Sequence, residues 1–171
     1  MLKLYDLSVE YRSNPLGMDD IQPRFSWKLE SDLPNTRQTA YRIRASNGAC
    51  LWDSGRVDSG QSVLTEYLGP AFEPSTHYDW EVTVWTEPEQ TASASARFET
   101  GLLRGTAFEG QAKWITHGMD SGETASPIFT KPFTGTKPLA KARLYATALG
   151  LYEGQLNGDN QADTYFAPAW T

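Results

Sequence analysis

FEPSTHYDWEVTVW, residues 72 to 85, contains the longest unbroken alternation of apolar and polar side chains in the chain, and its reading decides the fold. Successive side chains of a β-strand point to opposite sides. Tyr78, Trp80, Val82 and Val84 therefore share one face, and His77, Asp79, Glu81, Thr83 and Trp85 the other. A central strand is expected, with its Tyr and Trp turned into a core. Pro74-Ser75-Thr76 forms a turn before it, and Tyr78 stands two residues beyond that Thr, where a tyrosine corner stands in β-sandwiches. Asp79 and Glu81 lie together on the outer face, so the same strand offers the chain's most tempting carboxylate pair.

Working outward, a weaker strand is expected around Ser62 to Leu68, ended by Gly69-Pro70. On the other side, after Glu87-Pro88, Ala94, Ala96 and Phe98 alternate with Ser95, Arg97 and Glu99 up to Gly101. Farther upstream, Tyr41, Ile43 and Ala45 alternate with Ala40, Arg42, Arg44 and Ser46. The turn dipeptide Asn47-Gly48 then leads into a short return strand, Leu51-Trp52-Asp53-Ser54-Gly55. Phe25, Trp27 and Leu29 give another strand, which stops at Leu33-Pro34-Asn35. Leu4, Leu7 and Val9 give a first, edge strand ended by Asn14-Pro15-Leu16-Gly17, since Pro lacks a ladder donor and Gly takes turn geometry freely. Seven short strands thus fall within residues 1 to 103, with no helical period and with turn signals at sandwich spacing. One face of nearly every strand is polar, which suits antiparallel pairing with that face in water. The expectation is an all-β fold, a fibronectin type III-like antiparallel β-sandwich in which the strand of Tyr78 lies between those of Tyr41 and Phe98.

Residues 104 to 111 read as a linker, and strand patterns resume in 112 to 171. Strands are expected at Lys113-Trp114-Ile115, at Ile128-Phe129-Thr130 and from Ala142 to Tyr152, with a hairpin turn at Asn157-Gly158. About 60 residues are near the lower limit for an independent core, so this second unit is expected to be a truncated domain. Unpaired strand edges in such a unit would recruit a second chain, and a dimer through residues 112 to 171 is expected.

Composition narrows the function classes. The 171 residues are 39% hydrophobic with six Trp, enough to fill a core. A net charge of −6 with no Lys/Arg cluster argues against nucleic acid and against an anionic membrane. MLKLYDLSVE at the start lacks the apolar run of a secretory signal, and no window approaches the roughly 20 apolar residues of a membrane span. A cytoplasmic location is expected, or a secreted one if a signal has been removed. The lone Cys50 is read as a small, partly buried residue.

In this order and spacing, several segments resemble the amino-terminal region of bacterial α-L-rhamnosidases of the large inverting glycoside hydrolase family 78. They are Asn14-Pro15-Leu16-Gly17, Pro23-Arg24-Phe25-Ser26-Trp27, Gln38-Thr39-Ala40-Tyr41-Arg42-Ile43, Leu51-Trp52-Asp53-Ser54-Gly55, Phe98-Glu99-Thr100-Gly101-Leu102, Ala142-Arg143-Leu144-Tyr145 and Leu156-Asn157-Gly158. The resemblance implies a fibronectin-like domain followed by a partial jelly roll of the kind likened to carbohydrate-binding modules. It also implies a catalytic barrel elsewhere in the parent chain, as this region's partner, and rhamnosides as possible ligands. No catalytic residue carries over, because the family's acid and base belong to that barrel. No cofactor or metal is implied.

The candidate chemistry of these residues is then limited. An inverting glycosidase needs two carboxyl groups roughly 6.5 to 9.5 Å apart with space for a water between them. Asp79 and Glu81 would stand about 7 Å apart on a strand, yet both point the same way from a flat sheet. They are expected to pair instead with Arg42 and Arg44 on the neighbouring strand. His77 and His117 lack zinc-type spacing to other ligands, and Asp53-Ser54-Gly55 lacks the context of a nucleophile elbow. Gly150, Gly154 and Gly158 recur among strand residues and read as bends. Trp52, Trp85 and Trp170 remain as candidate site residues, either as a sugar platform or as anchors at a domain interface. Three functions stay open: a non-catalytic piece of a rhamnosidase, a stand-alone carbohydrate-binding module, and a fibronectin-type protein-interaction module.

Overall fold

The computed structural model describes residues 1–103, 112–118, 126–161 and 167–168, so the expected linker at 104–111 lies outside the described residues. The chain divides into two compact units, Met1–Thr116 and His117–Thr171. The first contains β1 (Leu2–Val9), β2 (Arg24–Ser31), β3 (Arg37–Ser46), β4 (Cys50–Asp53), β5 (Thr65–Glu66), β6 (His77–Glu87) and β7 (Gln90–Glu99). They form two antiparallel sheets, β1-β2-β5 and β4-β3-β6-β7. The fourth strand of the larger sheet lies beside β3, whereas a constant-type immunoglobulin places its fourth strand on the opposite sheet.

Strand β6 is central, as its alternation requires. Tyr78, Trp80, Val82 and Val84 are buried, and the strand pairs with β3 on one side and β7 on the other. Across the sandwich Trp80 meets Phe25 from β2, their ring centroids 4.6 Å apart, and Phe98 packs within 5.4 Å of Tyr78. The Tyr78 hydroxyl accepts the Glu73 N–H at 2.8 Å, which fixes the corner where the chain enters the sheet. The buried Trp80 indole N–H finds no hydrogen-bond partner among the described residues, a local cost of about 1 to 3 kcal/mol that the surrounding ring contacts must offset.

Three details differ from the expectation. The strand around Ser62 to Leu68 shrinks to Thr65–Glu66, because residues 54 to 64 bridge the open seam between the sheets instead of extending either. They do so through Val57, which exchanges backbone hydrogen bonds with Tyr41, and through Ser62, whose carbonyl accepts the Trp27 N–H. A bulge between Gln38 and Ala40 turns Gln38 inward, opposite the buried Thr86, whereas Ala40 stays opposite Trp85 on the outer face and is nonetheless fully buried. The Gln38 side chain then accepts the Trp27 indole N–H at 2.9 Å and donates to the carbonyls of Ser59 and Gln61 at 3.0 and 2.7 Å. Lastly, Asn14-Pro15-Leu16-Gly17 does more than end β1. Its backbone crosses to the larger sheet and covers the end of β7: Glu99 N–H donates to Pro15 O at 2.9 Å, Met18 N–H to Glu99 O at 2.9 Å and Gly101 N–H to Met18 O at 2.7 Å. The Met18–Thr100 bridge is parallel, unlike the sheets around it.

In the second unit, β8 (Gln155–Leu156) and β9 (Asp159–Asn160) form the expected hairpin. Asn157 and Gly158 both adopt positive φ, 54° and 90°, the pattern of a tight hairpin turn. A single bridge joins Tyr152 to Ala167. The strands expected at 128–130 and through most of 142–152 are not formed, nor is that at 113–115 in the first unit. Ile128 and Leu149 are 90% and 91% exposed. No helix occurs among the described residues.

Candidate functional site

The three tryptophans do not form one platform. Trp52 faces inward at the sheet edge: it lies opposite the buried Ala45, with its ring 6.5 Å from Phe25 and edge-on to Tyr67 at 4.8 Å. Trp85 follows the buried Val84 on β6 and therefore lies on the outer face, where the Arg56 guanidinium carbon sits 4.8 Å from its ring centroid. The same sheet thus separates Trp52 from Trp85, and Trp170 lies outside the described residues.

The outer face of the larger sheet holds the candidate carboxylates. Arg44 stands opposite Glu81 in register, but Arg42 and Arg44 both turn to Asp53 on the edge strand. Asp53 Oδ1 accepts from Arg42 Nε at 2.8 Å and from the Gly55 N–H at 2.9 Å, Oδ2 accepts from Arg42 Nη2, and Arg44 Nε lies 3.8 Å away. The Arg42 hydrogen bond leads in holding the Asp53 carboxyl down at about 2. The expected ladder from both arginines to Asp79 and Glu81 is therefore replaced by a cluster on Asp53, which sits beside Arg42 and Arg44 because β4 is the other neighbour of β3. Asp79 Oδ1 lies 3.3 Å from His77 Nε2, and its cross-strand neighbour on β7 is Arg97. Neither carboxylate lines the two concavities described below. No group of three His, Cys, Asp or Glu residues able to hold a metal occurs there. Cys50 is exposed, contrary to the partly buried position expected.

Two concavities mark the surface of the first unit. One, of about 210 Å³, lies at the seam between β4 and β5 and is lined by Tyr41, Trp52, Asp53, Ser54, Thr65 and Leu68 among others. Some of its polar groups are engaged, while the buried Thr65 hydroxyl finds no hydrogen-bond partner among the described residues. Ser54 Oγ accepts the Ile43 N–H and donates to Gly55 O, and Asp53 is held as above. The other, of about 420 Å³, lies under the loop from Glu10 to Gln22 and is lined by Glu10, Arg12, Pro15, Met18, Asp19 and Asp20 among others. Sequence reading missed this loop as a surface, because its Pro and Gly signal only a turn. The family description "Rha78A-like, N-terminal immunoglobulin domain" matches residues 4–104. The chain belongs to the amino-terminal region of the α-L-rhamnosidases.

A second description, "Alpha-L-rhamnosidase N-terminal domain", matches residues 137–171. An α-L-rhamnosidase of Streptomyces avermitilis is 42% identical over 123 residues, covering 67% of this chain and 12% of that protein. One from Formosa agariphila is 32% identical over 178 residues, covering 92% of this chain and 19% of its own length. Among solved structures, the Streptomyces avermitilis α-L-rhamnosidase complexed with L-rhamnose is similar with a TM-score of 0.57 at 40% identity, over 60% of this chain and 11% of that one. The α-L-rhamnosidase from Dictyoglumus thermophilum is similar with a TM-score of 0.56 at 36% identity, over 58% of this chain and 12% of that one. The chain therefore spans between 12% and 20% of the length of the curated relatives it matches.

Proposed function

We propose that this chain is a non-catalytic accessory region of an α-L-rhamnosidase. The reaction, hydrolysis of terminal α-L-rhamnosides, belongs to a catalytic domain elsewhere in the parent polypeptide. The chain's small share of its relatives carries the reading: the matched residues make up only 12% to 20% of proteins named for that activity. The chemistry of the described residues supports it, since Asp79 and Glu81 sit on an open sheet face where nothing holds a sugar between them. The sandwich serves as a scaffold that packs against the rest of the enzyme. A sugar-binding role draws less support, because Trp85 is stacked by Arg56 and Trp52 is turned toward the core. Calorimetric titration of the 171-residue chain with L-rhamnose and aryl rhamnosides tests the choice. No saturable heat is expected, together with no hydrolysis by the chain itself. Saturable binding would replace the scaffold with a carbohydrate-binding module, and hydrolysis by the chain alone would remove the accessory reading.

A further inference from the structure

We propose that the loop of residues 10 to 22 is the surface through which the first unit docks on the part of its parent polypeptide lying outside these 171 residues. The proposal rests on the accessory reading and names its contact face. Three large apolar residues within this short loop stand in water: Tyr11 is 71%, Leu16 62% and Ile21 64% exposed. Single exposed apolar residues are ordinary, but three within eleven residues of one loop, each next in sequence to a residue lining a depression, mark an interaction surface. These three alternate in sequence with residues lining the depression of about 420 Å³, including Glu10, Arg12, Pro15 and Asp20.

The loop is also held in place before anything binds. Glu10 accepts from Arg24 Nε at 2.9 Å, from Nη2 at 2.6 Å and from the Arg24 N–H at 2.7 Å. Asn14 Oδ1 accepts the Arg97 N–H at 3.0 Å, and Asp19 Oδ1 accepts the Leu103 N–H at 3.0 Å. Glu10, Tyr11, Asn14 and Gly17 all adopt positive φ, a conformation that residues other than Gly keep only when their surroundings impose it. A surface ordered in advance loses less entropy on docking, which is how apolar anchors become effective at an interface. The occupant follows from length. Relatives matching this chain are about five to six times longer, so most of the parent protein is available to cover the loop. An apolar-centred face on that remainder fits Tyr11, Leu16 and Ile21. The seam recess fits it less well, because among its lining residues only Leu68 is a strongly exposed large apolar side chain.

Hydroxyl-radical footprinting of the 171-residue chain and of the parent enzyme reads these side chains directly. Oxidation of Tyr11, Leu16 and Ile21 should fall by about fivefold or more in the parent, as their accessible area approaches that of an interface core. Unchanged rates there, with protection at Leu68 or Trp85 instead, would overturn the loop as the docking face and leave the accessory reading standing. No protection anywhere in residues 1 to 103 would overturn both. The combined variant Tyr11→Ser, Leu16→Ser and Ile21→Ser gives a second readout. It should leave the melting temperature of the 171-residue chain unchanged and lower that of the parent, and an unshifted parent would overturn the proposal.

Discussion

HYDWEVTVWTE, residues 77 to 87, and ARLYATALGLY, residues 142 to 152, both carry strand-like alternation, yet only the first becomes a strand. Each residue of β6 from His77 to Thr86 has a partner on β7, and most also have one on β3, so its inner side chains close a core from which water is excluded. Residues 142 to 152 have one bridge, Tyr152 to Ala167, among the described residues, and their leucines face solvent. The difference teaches that alternation supplies only the two faces of a strand. Cross-strand pairs and a second layer supply the free energy, since a lone strand gains too little burial to offset its ordering.

The largest expected effect tests that contrast. Trp80→Ala should destabilise the first unit by about 3 to 5 kcal/mol through cavity formation, while Leu149→Ala should change stability by no more than about 0.5 kcal/mol. Thermal unfolding of the two variants measures both. A costly Leu149→Ala would mean that the second unit buries its leucines in solution, and the contrast would break. Gln38→Ala comes next, at about 2 kcal/mol, because it strands the buried Trp27 indole N–H and frees the carbonyls of Ser59 and Gln61. Denaturant melts that leave its midpoint unchanged would show that burial alone, without this polar pin, closes the seam.

Much of the first unit was legible because its signals are local. Tyr78, Trp80, Val82 and Val84 declare a buried face by spacing, and Asn47-Gly48 and Asn157-Gly158 declare hairpins by their dihedral freedom. What escaped depends on partners distant in sequence. The bulge that turns Gln38 inward, and leaves Ala40 opposite Trp85 on the outer face, follows from the register with Thr86 and Trp85, which no window around Gln38 contains. Gly69 read as a turn residue, yet its role is steric. A Cβ there would lie 2.4 Å from the Tyr67 ring and 2.7 Å from Trp52 Cγ. The candidate site was least legible. Trp52 and Trp85 look alike in sequence, and only the pairing of β3 with both β4 and β6 assigns them to opposite faces.

A smaller effect concerns the charge cluster on the outer face. The Asp53 carboxyl falls from an ordinary 3.8 to about 2 in the folded chain, chiefly through the Arg42 hydrogen bond. A depressed carboxylate contributes its full stabilisation above its unfolded value, and that contribution is lost as pH falls through the folded value. The first unit should therefore weaken between about pH 4 and pH 2, by roughly 1 kcal/mol once solvent screening at this partly exposed site is allowed for. Asp53→Asn should flatten that acid limb relative to the parent chain in pH-dependent unfolding. An unchanged slope would assign the acid sensitivity to another pair, with Glu10–Arg24 the foremost alternative, since the Arg24 hydrogen bond likewise lowers the Glu10 carboxyl.

The smallest effect is expected at the residues that first resemble a catalytic pair. With Arg42 and Arg44 turned to Asp53, the side chains of Asp79 and Glu81 lose the ion pairs expected with those arginines, and they stand on the outer face of the sheet. Combined replacement by Asp79→Asn and Glu81→Gln should then change folding stability by no more than about 0.5 kcal/mol, the range of an ordinary surface substitution. It should also leave rhamnoside hydrolysis by the parent enzyme unaltered. The two readouts separate two ways of being wrong. A large stability loss with normal turnover would restore the arginine ladder, whereas a turnover loss with normal stability would bring the outer face of β6 to the substrate.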